Sequence, residues 1–271
     1  MNTSWLTCLN FIGINIEMNI VLITQADPFY LPKNIDYLIR NLPPKVRITG
    51  CVIANVSPFG KQESFSAKAI RTLKTFGIIF FVRYSLRYIR AMASPRSSVK
   101  NVVARHNIPI IPLNESINSE NTLKLISDKN PDLLVSIGGN QIFKKPLIEL
   151  ADFGCLNLHT AALPKYRGLM PSFWVLKNQE SYTAVSVFYV DEGIDSGPIL
   201  VQERVEINGQ SQEKLIDQTK KIGMDCIVKA ISKIQVNDIK TIPNDDNEMT
   251  YYSFPTRDDV REFRRVGAKF F

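Results

Sequence analysis

Asn157 and His159 stand two residues apart in the run Cys155-Leu-Asn-Leu-His-Thr160, and Pro164 and Gly168 then break the chain into a loop. If the run is a strand, both side chains lie on one face. An amide and an imidazole side by side at a strand end can donate hydrogen bonds to one developing oxyanion. The imidazole can also move a proton near neutral pH. The same pair fits a core strand whose polar groups are satisfied by neighbours. Two further clusters bear on the choice. Asp191-Glu-Gly-Ile-Asp195-Ser-Gly-Pro198 is a loop dense in glycine and acid. Gly138-Gly-Asn-Gln-Ile142 is a loop where backbone can approach a ligand closely.

Those clusters need elements to position them. Residues 19–24 form a continuous apolar run, the pattern of a strand buried on both faces. Pro32 opens a helix that Pro43 and Pro44 stop, and residues 46–54 make a second strand. Residues 62–105 read as helical with breaks near Gly77 and Pro95. A short strand at 108–112, a helix at 119–129 capped by Ser119, and a buried strand at 132–137 follow. The pattern then predicts helices at 143–151 and 171–177, paired strands at 183–190 and 199–207, and a long closing helix at 211–234. Strands alternating with helices imply an α/β fold with a doubly wound, mostly parallel sheet. Ligands of such sheets sit at the strand carboxyl ends, and all three polar clusters are expected at that edge. The tail from Asp245 carries Tyr251, Tyr252, Phe254, Phe263, Phe270 and Phe271, which predicts that it packs on the body.

Composition narrows the classes. A chain of 271 residues is one domain or one domain with an appendage, here residues 18–207 followed by 208–271. Regular pattern starts at Asn19, directly after Met18, so residues 1–17 read as an upstream start or loose extension, and no cationic run marks them as a secretory signal. Four scattered cysteines without a Cys-x-x-Cys disfavour a zinc site, and two histidines exclude a multi-histidine centre; no metal is expected. Reduced thiols fit a cytoplasmic protein. No run reaches the length of a membrane span, so no membrane partner is expected. The first strand lacks the Gly-x-Gly-x-x-Gly fingerprint, which disfavours a nicotinamide or flavin enzyme. The net charge of +7 is concentrated in residues 61–105, which hold ten Lys and Arg and the single anion Glu63. Arg83, Arg87 and Arg90 recur at helical spacing there, either as a solvated face or as a surface for an anionic acceptor.

Asn157-Leu-His159, the Leu163-Pro-Lys-Tyr-Arg-Gly168 loop and Asp191-Glu-Gly-Ile-Asp195-Ser-Gly-Pro198, in this order and spacing, resemble the folate-dependent formyltransferases. That group includes methionyl-tRNA, phosphoribosylglycinamide and sugar N-formyltransferases. The resemblance is strong over 132–202 and implies a Rossmann-like formyltransferase domain with 10-formyltetrahydrofolate as co-substrate. It carries the catalytic roles onto Asn157, His159 and Asp195, with Asp191 as the competing carboxylate. It places folate against Gly138, Gly139, Gln141, Ile142, Val190 and Asp191, and turns Lys165 and Arg167 toward the acceptor. The implied chemistry is attack of an amine on the formyl carbon, with the oxyanion held by Asn157 and His159.

Departures from the family pattern bear on the acceptor. The purine-branch enzymes carry a glycine-serine-asparagine phosphate loop after the first strand, where this chain reads Gln25-Ala-Asp-Pro-Phe29. The stretch after Glu206 is short for the barrel domain of the methionyl-tRNA enzymes. A small, anionic amine acceptor, foremost an amino-sugar nucleotide, is therefore expected, with transfer RNA as the alternative. A non-catalytic folate- or nucleic-acid-binding protein is the reading from another class.

Overall fold

The computed structural model describes residues 16–56 and 64–271. Strand β1 (Met18–Gln25) is buried on both faces, as its unbroken apolar run requires. Helix α1 (Leu31–Arg40) returns the chain to β2 (Val46–Ala54). A helical stretch follows in three pieces, α2 (Phe65–Phe76), α3 (Ile78–Met92) and α4 (Val99–Arg105), broken at Gly77 and Pro95 as the sequence pattern predicts. Then come β3 (Ile110–Ile111), α5 (Glu120–Ser127), β4 (Leu133–Ile137), α6 (Lys145–Ile148) and β5 (Cys155–His159). The second half comprises β6 (Arg167–Gly168), α7 (Pro171–Lys177), β7 (Tyr182–Tyr189), β8 (Ile199–Glu206), α8 (Gln212–Gln235), β9 (Tyr251–Tyr252) and α9 (Arg257–Arg265).

Seven strands form one sheet in the order β3-β2-β1-β4-β5-β7-β8. The first five are parallel, β7 runs antiparallel to β5, and β8, antiparallel to β7, returns to the direction of the first five. The direction of winding reverses between β1 and β4, which is where an open α/β sheet offers a crevice. Helices cover both faces. The larger core lies between the sheet and α1, α4, α7 and α8; the smaller gathers Val21, Ile23, Leu134, Phe143, Leu147 and Cys155 on the opposite face. Gly223 on α8 lets that helix press on Leu158 of β5, where an added Cβ would lie 2.7 Å from a Leu158 methyl. This contact fixes the height of the strand that carries Asn157 and His159.

Three expectations need correction. The strand at 108–112 shrinks to Ile110–Ile111, because Pro109 and Pro112 have no N–H to give a ladder. The helix at 143–151 shrinks to Lys145–Ile148, because Pro146 belongs to the first turn and Phe143 is drawn into the smaller core. The third concerns the acidic loop. Because β7 is antiparallel to β5, that loop leaves from the end where β5 begins, with Val190 N–H donating to the Cys155 carbonyl at 2.7 Å. It reaches His159 by curling back over the face that bears the imidazole. His159 and Asp195 thus meet by two routes, not along one edge.

The aromatic tail packs on the body as expected. Phe263 of α9 is fully buried, its ring stacked 4.7 Å from Phe173 and 4.5 Å from Phe270. Trp174 donates its indole N–H to the Ser253 carbonyl. Phe263→Ala is expected to cost about 3–5 kcal/mol, the range for truncating a buried ring. Urea unfolding followed by tryptophan fluorescence measures it; a loss below about 1 kcal/mol would show that the tail is not part of the cooperative unit. Cys51, Cys155 and Cys226 are buried free thiols, and burial pushes Cys51 and Cys226 up to about 12. Cys8 and the expectation for residues 1–15 lie outside the described residues; Ile16 is held by Gln235, which donates to its carbonyl.

Candidate functional site

The alternation of β5 places Asn157 and His159 on one face, facing Phe188 and Ser186 of β7. His159 is buried, and both ring nitrogens have neighbours. Nε2 donates to the Tyr166 carbonyl at 2.7 Å, and Nδ1 lies 3.5 Å from Asp195 Oδ2. The backbone contact therefore uses up Nε2 and leaves Nδ1 as the nitrogen with a free direction. Its separation from the carboxylate is longer than a hydrogen bond, so a third atom can approach it; with Nε2–H already given to Tyr166, Nδ1 donates only when the ring is the charged imidazolium. Asn157 Oδ1 is buried and has no protein partner. A buried amide end left open in this way is where a ligand donor or acceptor is expected. Amide ends can be interchanged by a half-turn, so the open end serves either role.

Asp195 is held from several sides. Its Oδ2 accepts the Gly168 N–H at 2.9 Å, and its backbone sits in the left-handed region at φ 50°. A non-glycine residue persists there only when the surroundings enforce it. The enforcement comes from the tail. Asn244 donates its side-chain amide to the carbonyls of Asp195 at 2.8 Å and Gly197 at 2.9 Å. Arg167 in turn holds Asn244 through its side-chain oxygen at 2.9 Å and its carbonyl at 3.1 Å, and pairs with Asp246 at 2.7 Å. Strand β6 pairs with β9 from the tail, and an added Cβ on Gly168 would collide with the Tyr252 carbonyl. Tyr166 stacks on Tyr252, and burial together with its hydrogen bond to Glu180 raises the phenol pKa.

The structure separates the residues singled out by sequence. His159 and Asp195 come together, and Asn157 shares the strand face of His159. Asp191 does not face the imidazole: its Oδ1 accepts from Gly193 N–H at 3.1 Å and from the Ser196 hydroxyl, closing its own loop. Arg167 corrects an expectation, since it is 4% exposed and committed to Asn244 and Asp246, a strut rather than a group turned toward an acceptor. Lys165 beside it is exposed. Gly138 (φ 70°) and Gly139 turn the chain out of β4, and a Cβ on Gly139 would meet Ser136 Oγ at 2.5 Å. The Gln141 side chain faces away, accepting from Ile117 N–H at 2.9 Å, whereas Ile142 is exposed and Val190 half-buried at the smaller core. A small cavity beside this loop is lined by Thr24, Ala54, Gly139, Asn140 and Phe143. It is continuous with the loop, not with His159. Among the described residues, no three metal-binding side chains come together.

Sequence reasoning missed Asn244, Asp246 and the Tyr166 carbonyl. The only signal for the first two was their polarity in an otherwise aromatic tail. Asn244→Ala is expected to lower kcat about tenfold, about 1.4 kcal/mol of lost positioning, while the Michaelis constant for the donor stays near its original value. Steady-state kinetics decide it; equal losses in binding and turnover would assign Asn244 a purely structural role.

Chemically, the arrangement offers the Asn157 amide and, in the imidazolium form of the ring, His159 Nδ1–H as donors, with a fixed carboxylate beside the imidazole. That suits a reaction in which negative charge grows on an oxygen while a proton is moved. Comparison with known proteins gives this geometry its context. The formyl transferase family matches residues 88–231. The chain is similar to methionyl-tRNA formyltransferase of Alkaliphilus oremlandii, 35% identical over 170 residues, covering 62% of this chain and 54% of that one. It spans about half the length of the curated relatives it matches. In fold it is similar to phosphoribosylglycinamide formyltransferase from Anaplasma phagocytophilum, with a TM-score of 0.60 at 15% identity over 87% of this chain and 99% of that one. It is also similar to an N-formyltransferase from Helicobacter canadensis solved with folinic acid and dTDP-3-aminofucose, with a TM-score of 0.55 at 17% identity over 91% and 79% of the two chains. The tail residues that hold Asp195 lie beyond the matched span. That span is more than half of the chain and takes in β5, the acidic loop and most of α8, so the chain belongs to the formyl transferase family.

Proposed function

We propose that the protein transfers a formyl group from 10-formyltetrahydrofolate to the amine of a small, anionic acceptor, with an amino-sugar nucleotide as the leading candidate. The observation that carries this reading is the approach of His159 Nδ1 to Asp195 on the strand face that also bears the open Asn157 amide. As the amine adds to the formyl carbon, Asn157 and His159 Nδ1 donate to the growing oxyanion. Asp195 orients the imidazole and, through it or through water, takes up the amine proton on its way to the leaving nitrogen. The Gly138–Ile142 turn after β4, with Ile142 exposed, and Val190 with Asp191 at the start of the acidic loop are the assigned contacts of the folate. Lys165 is the assigned acceptor cation.

A phosphate-bearing glycinamide acceptor fits poorly. The three N–H groups of Phe29, Tyr30 and Leu31 that open α1, where a phosphate would be received, are filled by the chain's own Asp27 carboxylate at 3.0–3.1 Å. Methionyl-tRNA is the second reading, favoured by the sequence relatives. A panel of amines, including amino-sugar nucleotides and aminoacylated tRNA, incubated with 10-formyltetrahydrofolate and followed by appearance of tetrahydrofolate, tests both. Turnover of a small amino sugar that changes little with salt is expected. Turnover of tRNA alone, falling steeply with salt, would replace the first reading with the second. Absence of turnover with every amine would sink both.

A further inference from the structure

Half of the large apolar side chains that stand exposed among the described residues fall between positions 65 and 92, on α2 and α3. On α3 they are Ile78, Ile79, Val82, Leu86, Ile89 and Met92, from 48% exposed at Val82 to 83% at Ile79. At 3.6 residues per turn these six make one stripe along the helix. The opposite side is what docks the helix: Phe80 stacks on Phe76, and Tyr84 and Tyr88 close on Phe29. The aliphatic stripe is left facing water, as is Phe65 on α2. A patch of this kind on a soluble surface marks an interaction site.

The charges around the stripe say what it meets. Residues 64–105 hold nine Lys and Arg and no Asp or Glu. Exposed Arg83 and Arg90 flank the stripe, with Arg83 also lying over the Phe271 ring. Among the neighbouring elements Glu213 reaches in, but it pairs with Arg87, which also lies over Phe29 and Tyr30. A nucleic acid would use the cations and leave the aliphatic stripe in water. A second copy would cover the stripe but set two all-cationic surfaces against each other. An anionic lipid surface uses both features, with the aliphatic side chains entering the acyl boundary and the arginines meeting headgroup phosphates. We propose that α2 and α3 form an interfacial anchor that lays the protein on an anionic membrane surface. No helix among the described residues is long and apolar enough to cross a membrane, and lying on a surface requires none. The absence of a membrane partner was expected from the lack of a spanning run, a criterion that a surface helix does not meet. This inference is independent of the acceptor and of the formyl-transfer reading.

Flotation of the full chain with vesicles tests it directly. The protein should rise with phosphatidylcholine vesicles containing about a third phosphatidylglycerol, stay down with phosphatidylcholine alone, and be released by high salt. Arg83→Ser with Arg90→Ser should weaken partitioning about twenty-five-fold, near fivefold per cation. Ile79→Ser with Leu86→Ser should abolish flotation at an unchanged melting temperature, as expected for positions that already face water. The wild-type lipid and salt dependence stands even if a variant misfolds. Failure to float with anionic vesicles at low salt overturns the proposal, and so does equal flotation on neutral ones. A dimer in sedimentation equilibrium that Ile79→Ser with Leu86→Ser splits would overturn it in favour of a second copy.

Discussion

Asp195→Asn should lower formyl-transfer turnover by about two orders of magnitude or more, the scale of a positioned acid–base group, while donor binding persists. The substitution keeps the shape of the side chain and the oxygen that accepts the Gly168 N–H, but removes the charge beside His159 Nδ1. With Nε2 already given to the Tyr166 carbonyl, the imidazole has no second nitrogen through which to recover the role. Because the two side chains act through one contact, His159→Ala with Asp195→Ala should be little slower than either single variant. Rapid-quench kinetics with donor binding measured in parallel would show it. Fully additive losses would mean that the residues work separately, and near-normal turnover in Asp195→Asn would remove the carboxylate from the mechanism altogether.

Asn157→Ala is expected to cost about a hundredfold to a thousandfold in kcat, the range for losing one oxyanion donor. The side chain has one buried end without a protein partner, so its deletion leaves no orphaned group in the core and little cost in stability. That contrast makes the test sharp: turnover should collapse while the denaturation midpoint hardly moves. A matched loss of stability with turnover preserved would make Asn157 a packing residue of β5.

How much was legible in the sequence follows from the range of the interactions involved. The buried strands β1 and β4 were legible because a strand covered on both faces is a continuous apolar run. The breaks at Gly77 and Pro95 were legible because those residues act locally. The antiparallel direction of β7 was not, since strand periodicity is the same in either direction, and with it went the route by which Asp195 arrives. Arg167 reads locally as a loop cation; only the fold brings Asp246, 79 residues away, against it. Asn244 carries no local sign of its function for the same reason, being 49 residues from Asp195. The pair Asn157 and His159 was legible because two-residue spacing and strand geometry suffice to place both side chains.

The tie between Asn244, Arg167 and the Asp195 loop also bears on timing. During synthesis His159 and Asp195 emerge well before residues 244–252, so the sheet's strands are all available before the segment that holds the carboxylate in its strained backbone. Donor-binding surface would form first and catalytic competence last. On the proposed chemistry, a nascent chain would be inactive even with its sheet assembled. The same order makes the exposed stretch from Val236 to Ile242 a point of control in the finished protein. One cut there by a protease, followed by release of the tail, would take away both the hold of Asn244 on Asp195 and the Phe263 ring that the core closes on.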